Sequence, residues 1–127
     1  MESISFKNLI VYKKVFSLAM RISKKFSKEE TYSLTDQVRR SSRSVCTNIA
    51  EGYRKRQYPA HFISKISDAD MENSETQVWL DFARACEYIS EELYVELVRE
   101  TEEIGRLSNH MIHNPKKYLP GKKYIEN

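Results

Sequence analysis

Glycine and proline are scarce in this chain of 127 residues: there are three of each, and Pro115 and Pro120 both lie beyond residue 114. Strands and hairpins need that punctuation at their turns, so the body of the chain reads as all-α. Cysteine is scarcer still. Cys46 and Cys86 stand apart without a C-x-x-C spacing, which argues against a structural disulfide and reads as two buried thiols in a reducing environment. No run of 18 apolar residues occurs, and the start has no apolar segment of signal-peptide type, so neither a membrane span nor secretion is expected. The expected compartment is the cytoplasm. Walker loops, nucleophile elbows and dinucleotide fingerprints are also missing. So is the di-iron spacing Glu-x-x-His, because Tyr58, Leu107 and His110 stand three residues before the three histidines.

What is present is helical periodicity. The length fits one domain with a sizeable core, expected over residues 1–114 with a flexible basic tail at 115–127. A first helix is expected from about Phe6 to Phe26, with Val11, Val15, Leu18, Ile22 and Phe26 on one face. The second starts near Ser33, where Asp36 follows in a capping-box-like pattern, and ends between Gly52 and Tyr58 because Pro59 disfavours helix in the residue before it. A third runs from about Ala60 to Ile89. Ser90 then caps a fourth, with Glu91 and Glu92 in its first turn and a seam of Leu93, Leu97, Ile104, Leu107 and Met111.

The second helix sorts its residues by face. At 100° per residue, Leu34, Val38, Ser41, Val45, Ile49 and Gly52 form a narrow core stripe, and Arg39, Arg40, Arg43 and Arg54 fan out opposite. Gln37, Ser44, Asn48 and Glu51 line one flank as a polar ribbon, the pattern of a hydrogen-bonded network fixing helix register or subunit orientation. With Lys55 and Arg56, the arginines make a six-residue cationic set suited to phosphate, and Tyr53 and Tyr58 flank its end as candidate stacking platforms for unpaired bases. Charge is uneven along the whole chain. Residues 1–65 hold 14 Lys and Arg against 5 acids, residues 66–103 hold 2 against 12, and residues 104–127 hold 5 against 1. In a bundle, basic helices beside acidic ones neutralise one another in part.

The third helix carries two apolar sets. Phe62, Ile66, Ala69, Asn73, Thr76 and Leu80 form one stripe. Met71, Val78, Phe82, Ala85 and Ile89 repeat on a different side, adjoined by Trp79 and Cys86. One small core cannot cover both sides, and a large exposed apolar patch marks a partner surface. Met71, Val78, Trp79, Phe82 and Ile89 are therefore the expected self-association residues.

The run Arg40-Ser41-x-x-Ser44-Val45-x-x-Asn48-Ile49-Ala50-Glu51-Gly52 resembles the signature R-[AS]-x-x-S-[IV]-x-x-N-I-A-E-G of bacterial four-helix bundle proteins encoded in intervening sequences of large-subunit ribosomal RNA genes, relatives of the accessory variability determinant of diversity-generating retroelements. Phe6-x-x-Leu9-x-Val11-Tyr12-x-Lys14 is similar to that family's opening, and Glu75-Thr76-Gln77 with Ala83 to Ile89 to its third helix. The resemblance spans roughly residues 5 to 112. It implies an antiparallel up-down four-helix bundle, a pentameric ring and a nucleic-acid-binding role, with RNA, DNA or an RNA-bound protein such as a reverse transcriptase as partner. It implies no reaction.

Enzyme readings are thin. Arg106 and His113 match the loose Arg and His spacing of the helical HEPN ribonucleases, in which His serves as acid or base and Arg holds the phosphate. His110 and His113 offer two metal ligands at best. No cofactor, metal or catalytic residue is expected. The combined expectation is a non-enzymatic oligomeric bundle that binds nucleic acid through Arg39, Arg40, Arg43, Arg54, Lys55 and Arg56. The alternative is a ring-forming protein scaffold whose arginines only pair with acidic helices.

Overall fold

The computed structural model describes residues 5–26 and 32–121. Four helices account for most of them: α1 (Ile10–Lys25), α2 (Tyr32–Arg54), α3 (Pro59–Ala85) and α4 (Glu91–His113), with short 3₁₀ turns at Phe6–Asn8 and Pro115–Tyr118. No helix among the described residues is long and apolar enough to cross a membrane.

Cross-helix bonds give the topology, because positions that rise along one helix meet positions that fall along the next. Ser23 of α1 meets Arg39 and Arg43 of α2, and Tyr12 meets Cys46. Between α2 and α3, Ser41 meets Thr76 and Glu51 meets Lys65. Asn73 of α3 bonds Thr101 of α4, and Asp81 bonds Tyr94. Finally Arg21 of α1 reaches Glu96 and Glu100, and Lys14 reaches Glu103, closing α1 against α4. This is the antiparallel up-down bundle, with α1 and α3 on one diagonal and α2 and α4 on the other.

The apolar stripes read from periodicity line the shared core: Val11, Val15, Leu18 and Ile22; Val38, Val45 and Ile49; Phe62, Ile66 and Leu80; Leu97, Ile104 and Met111 are buried. Each large aliphatic or aromatic side chain buried there contributes about 1.5–3 kcal/mol. A polar layer crosses the middle. Thr76 Oγ1 donates to Ser41 Oγ at 2.8 Å, and Asn73 Nδ2 donates to the Thr101 carbonyl at 2.8 Å, all within the buried interior. Small Ser41 and Gly52 let α2 approach α3 closely. A Cβ added at Gly52 would stand 2.7 Å from Ile66 Cδ1.

Several expected boundaries move. The first helix is broken: Ser5 Oγ accepts from Lys7 N to start a 3₁₀ turn, and extended Leu9 separates that turn from α1. α2 is already helical at Tyr32. Pro59 sits at the first position of α3, where its missing N–H costs nothing. α3 stops at Ala85 rather than at Ile89, because Glu87 adopts a left-handed φ of 62°. Glu87 N–H bonds Arg84 O and Tyr88 N–H bonds Ala83 O, a Schellman stop formed without glycine. Ser90 caps α4 as expected, its Oγ accepting from Leu93 N at 3.1 Å. Past residue 114 the chain packs instead of leaving: Tyr118 is buried and stacks on Phe62 with centroids 5.4 Å apart. Cys86 is exposed, contrary to the expectation for both thiols. Residues 122–127 of the expected tail lie outside the described residues.

Candidate nucleic-acid interface

The structure separates the six cations expected to act together. Arg39 is turned inward along α2 toward the end of α1, where its Nη2 donates to the carbonyls of Ser23 (3.0 Å) and Phe26 (2.6 Å). These are C-terminal carbonyls left over by α1, so Arg39 is a helix cap in trans. Arg40 leans the other way, onto α3. It pairs with Glu75 and, at 3.9 Å, with Glu72, and also donates to Gln37 Oε1. Both arginines are thus engaged in holding the bundle together.

Of the remaining cations, three are exposed and Arg56 is half-buried. Arg43 is exposed, with one bond to Ser23 Oγ at 3.2 Å, and lines an open groove on α2 with Asp36, Thr47 and Ser44. Arg54 and Lys55 are exposed in the last turn and make no ion pair with any described residue. Arg56 lays its guanidinium 4.1 Å from the Tyr53 ring centre, a cation–π contact. Tyr53 itself is buried, which removes it as a stacking platform for bases. Tyr58 is 56% exposed and keeps that capacity, with His61 edge-on at 6.0 Å.

Antiparallel packing adds cations from outside α2. The Phe6–Asn8 turn packs on α2, and the Pro115–Tyr118 turn packs on α3. Exposed Lys7, Lys116 and Lys117 therefore share one end of the bundle with Arg54, Lys55 and Tyr58. The α3–α4 turn at the far end carries Glu87, Glu91 and Glu92, and the end of α1 adds exposed Lys24 and Lys25 there. The signal available in the sequence was Tyr118, an aromatic anchor inside the basic P-K-K-Y-L-P segment.

The polar ribbon runs along α2 beside α3, with bonds within α2 and one ion pair to α3. Asn48 Nδ2 donates to Ser44 O at 3.0 Å and to Ser44 Oγ at 3.3 Å, and Lys65 pairs with Glu51 at 3.2 Å. Facing it, Glu72 has its carboxyl pushed above the usual range, first by burial and then by the Glu75 charge, with Arg40 opposing. Beside the α2–α3 seam, on the outward side of α3, Met71 (70%), Val78 (48%) and Phe82 (54%) are exposed. Trp79 is half-buried next to them, its Nε1 donating to Glu75 Oε1 and its ring 5.9 Å from that of Phe82. Ile89 leaves this set: because α3 ends at Ala85, the chain turns and buries Ile89 in the core.

The enzyme-type pair is not drawn into a cleft. Arg106 and His113 are both exposed on α4, and His113 Nδ1 lies 2.8 Å from the Asn109 carbonyl of its own helix. The described residues contain no group of three or more side chains able to hold a metal ion.

Comparison with known proteins adds a family and a fold neighbour. The family described as 23S rRNA-intervening sequence protein matches residues 7–110. A crystal structure of a protein of unknown function from the S23 ribosomal protein family of Bacteroides thetaiotaomicron VPI-5482 is 32% identical, with a TM-score of 0.76 over 81% of this chain and 98% of that one. No curated protein matches the chain. Neither description names a reaction.

Proposed function

Because this chain belongs to the 23S rRNA-intervening sequence protein family, we propose that it is a non-enzymatic, self-associating bundle of the cytoplasm that binds RNA, or an RNA-bound protein, through its basic end. The observation that carries this reading is the convergence of Lys7, Arg54, Lys55, Lys116 and Lys117. Three separate chain segments bring these exposed cations to one end, and none of them is in an ion pair with a described residue. Unpaired cations are the ones free to displace counterions from phosphate, and exposed Tyr58 beside them supplies a face for an unpaired base. Recognition of this kind is led by phosphate and weakly specific in sequence.

The test is RNA-binding anisotropy across a salt series for wild type, an Arg54→Glu/Lys55→Glu/Lys117→Glu variant and an Arg40→Glu variant. Affinity should fall steeply with salt, and the triple variant should lose both affinity and salt slope, by roughly one unit of slope per phosphate contact removed. Arg40→Glu should act on stability instead. Salt-insensitive binding, or an undiminished triple variant, would turn the reading toward a scaffold for protein partners, which exposed Met71, Val78 and Phe82 favour.

A further inference from the structure

Two outward faces of the bundle are apolar and carry opposite charge. On α1, Phe16 (50% exposed) and Met20 (42%) stand one turn apart on the side opposite the buried Val11, Val15, Leu18 and Ile22, with exposed Lys13 and Lys24 beside them. α1 holds five cations and no acid. Two of the five, Lys14 and Arg21, are spent on α4, which leaves the outer lysines to set the charge of this face. On α3, Met71, Val78 and Phe82 follow the spacing of seven and four residues that puts helical anchors in a row. Exposed Asp68 borders that row, as does Glu75, which is already held by Arg40, and α3 as a whole holds five acids against Lys65 and Arg84.

These faces lie on diagonally opposite helices, so they cannot meet within one subunit. We infer that the outer face of α3 docks on the outer face of α1 of a second copy, Met71, Val78 and Phe82 packing over Phe16 and Met20 with Asp68 toward Lys13 and Lys24. This deepens the self-association reading above and rests on it. Pairing like with like would set acids against acids at α3, or lysines against lysines at α1, and like charges facing each other are unfavourable. Pairing unlike faces joins both apolar patches and both charges at once. Such an interface is heterologous: each copy offers one face and receives on the other, so the chain of contacts closes as a ring or runs on as a filament.

The pairing is tested with two variants that each break one face at exposed positions, Val78→Lys/Phe82→Lys on α3 and Phe16→Glu/Met20→Glu on α1, with circular dichroism to follow the helices. Light scattering should give an assembly for wild type, a single-subunit mass for each variant alone, and recovered association when the two are mixed, since each keeps the face the other needs. Carbodiimide cross-linking of mixed labelled and unlabelled wild-type chains, read by mass spectrometry, should join Lys13 or Lys24 of one copy to Asp68 of another. If wild type assembles but either variant alone keeps that mass, if the mixture stays monomeric, or if interchain links avoid these residues, the pairing is wrong while self-association stands. A monomeric wild type would overturn both.

Discussion

Arg39 and Arg43 stand one helical turn apart on α2 and do different work. Arg39 satisfies two carbonyls at the end of α1, while Arg43 projects into water with a single hydroxyl partner. Hydrogen bonds that involve a charged group are worth about 1.5–3 kcal/mol when shielded and less when wet, so Arg39→Ala should cost roughly 1–2 kcal/mol. Arg43→Ala should stay within about 0.5 kcal/mol. Urea midpoints of the two variants at equal m-value check this, and equal midpoints would contradict the capping role. Gly52 presents the opposite limit, a residue defined by having no side chain. Ile66 is fully buried and cannot swing away from a new Cβ at 2.7 Å, and the Lys65 Cβ at 3.1 Å is fixed to backbone. Gly52→Ala should therefore lose about 1–3 kcal/mol to overpacking, outweighing the roughly 0.5–1 kcal/mol that alanine contributes in a helix interior. A stabilised variant would show that α2 and α3 have room to part.

The helices themselves were legible in the sequence because each buries a stripe at three- and four-residue steps, and the scarcity of glycine and proline left few places to break them. Their ends were less so. The apolar repeat of α3 continues formally through Ala85 to Ile89, yet the backbone turns at Glu87, a residue with no compositional stop signal. Glu87→Gly should relieve the left-handed conformation and stabilise the α3–α4 turn by roughly 0.5–1 kcal/mol, read as a higher thermal midpoint. The candidate site was half legible for a related reason: periodicity places arginines on a face but does not say which neighbours already hold them, and Arg40 is claimed by acids 32 and 35 residues away, Glu72 and Glu75. Two half-buried carboxyls also leave a pH signature on α3. Burial raises the carboxyls of Asp70 and Glu72 above their ordinary range, so the folded chain holds those protons more tightly than the unfolded chain does. Their contribution is fully present below the unfolded value and is lost as pH rises through the folded one. Asp70→Asn should remove part of that loss, giving a slightly higher midpoint at neutral pH and a flatter profile just above the ordinary carboxylate range. An unchanged profile would mean that water reaches Asp70.

At the scale of the whole molecule, the cluster of Lys7, Arg54, Lys55, Lys116 and Lys117 sits at one end of the bundle and the exposed apolar faces lie on its sides. A ring formed through the α1 and α3 faces leaves the ends uncovered, so every subunit would present its basic end in the same direction. A long RNA then meets several weak sites held at high effective concentration, while a short oligonucleotide meets one. The neutral variant Val78→Gln/Phe82→Gln separates these terms, since it breaks the α3 face without touching Lys7, Arg54, Lys55, Lys116 or Lys117. Its affinity for an RNA long enough to span several subunits should fall by roughly 10²-fold, whereas its affinity for a short oligonucleotide should change by less than about threefold. Anisotropy with the two RNA lengths, at one salt concentration and with the mass of each protein checked by light scattering, reads both numbers. Equal losses on long and short RNA would place the binding surface on α3 itself, and no loss on either would mean that each bundle binds alone.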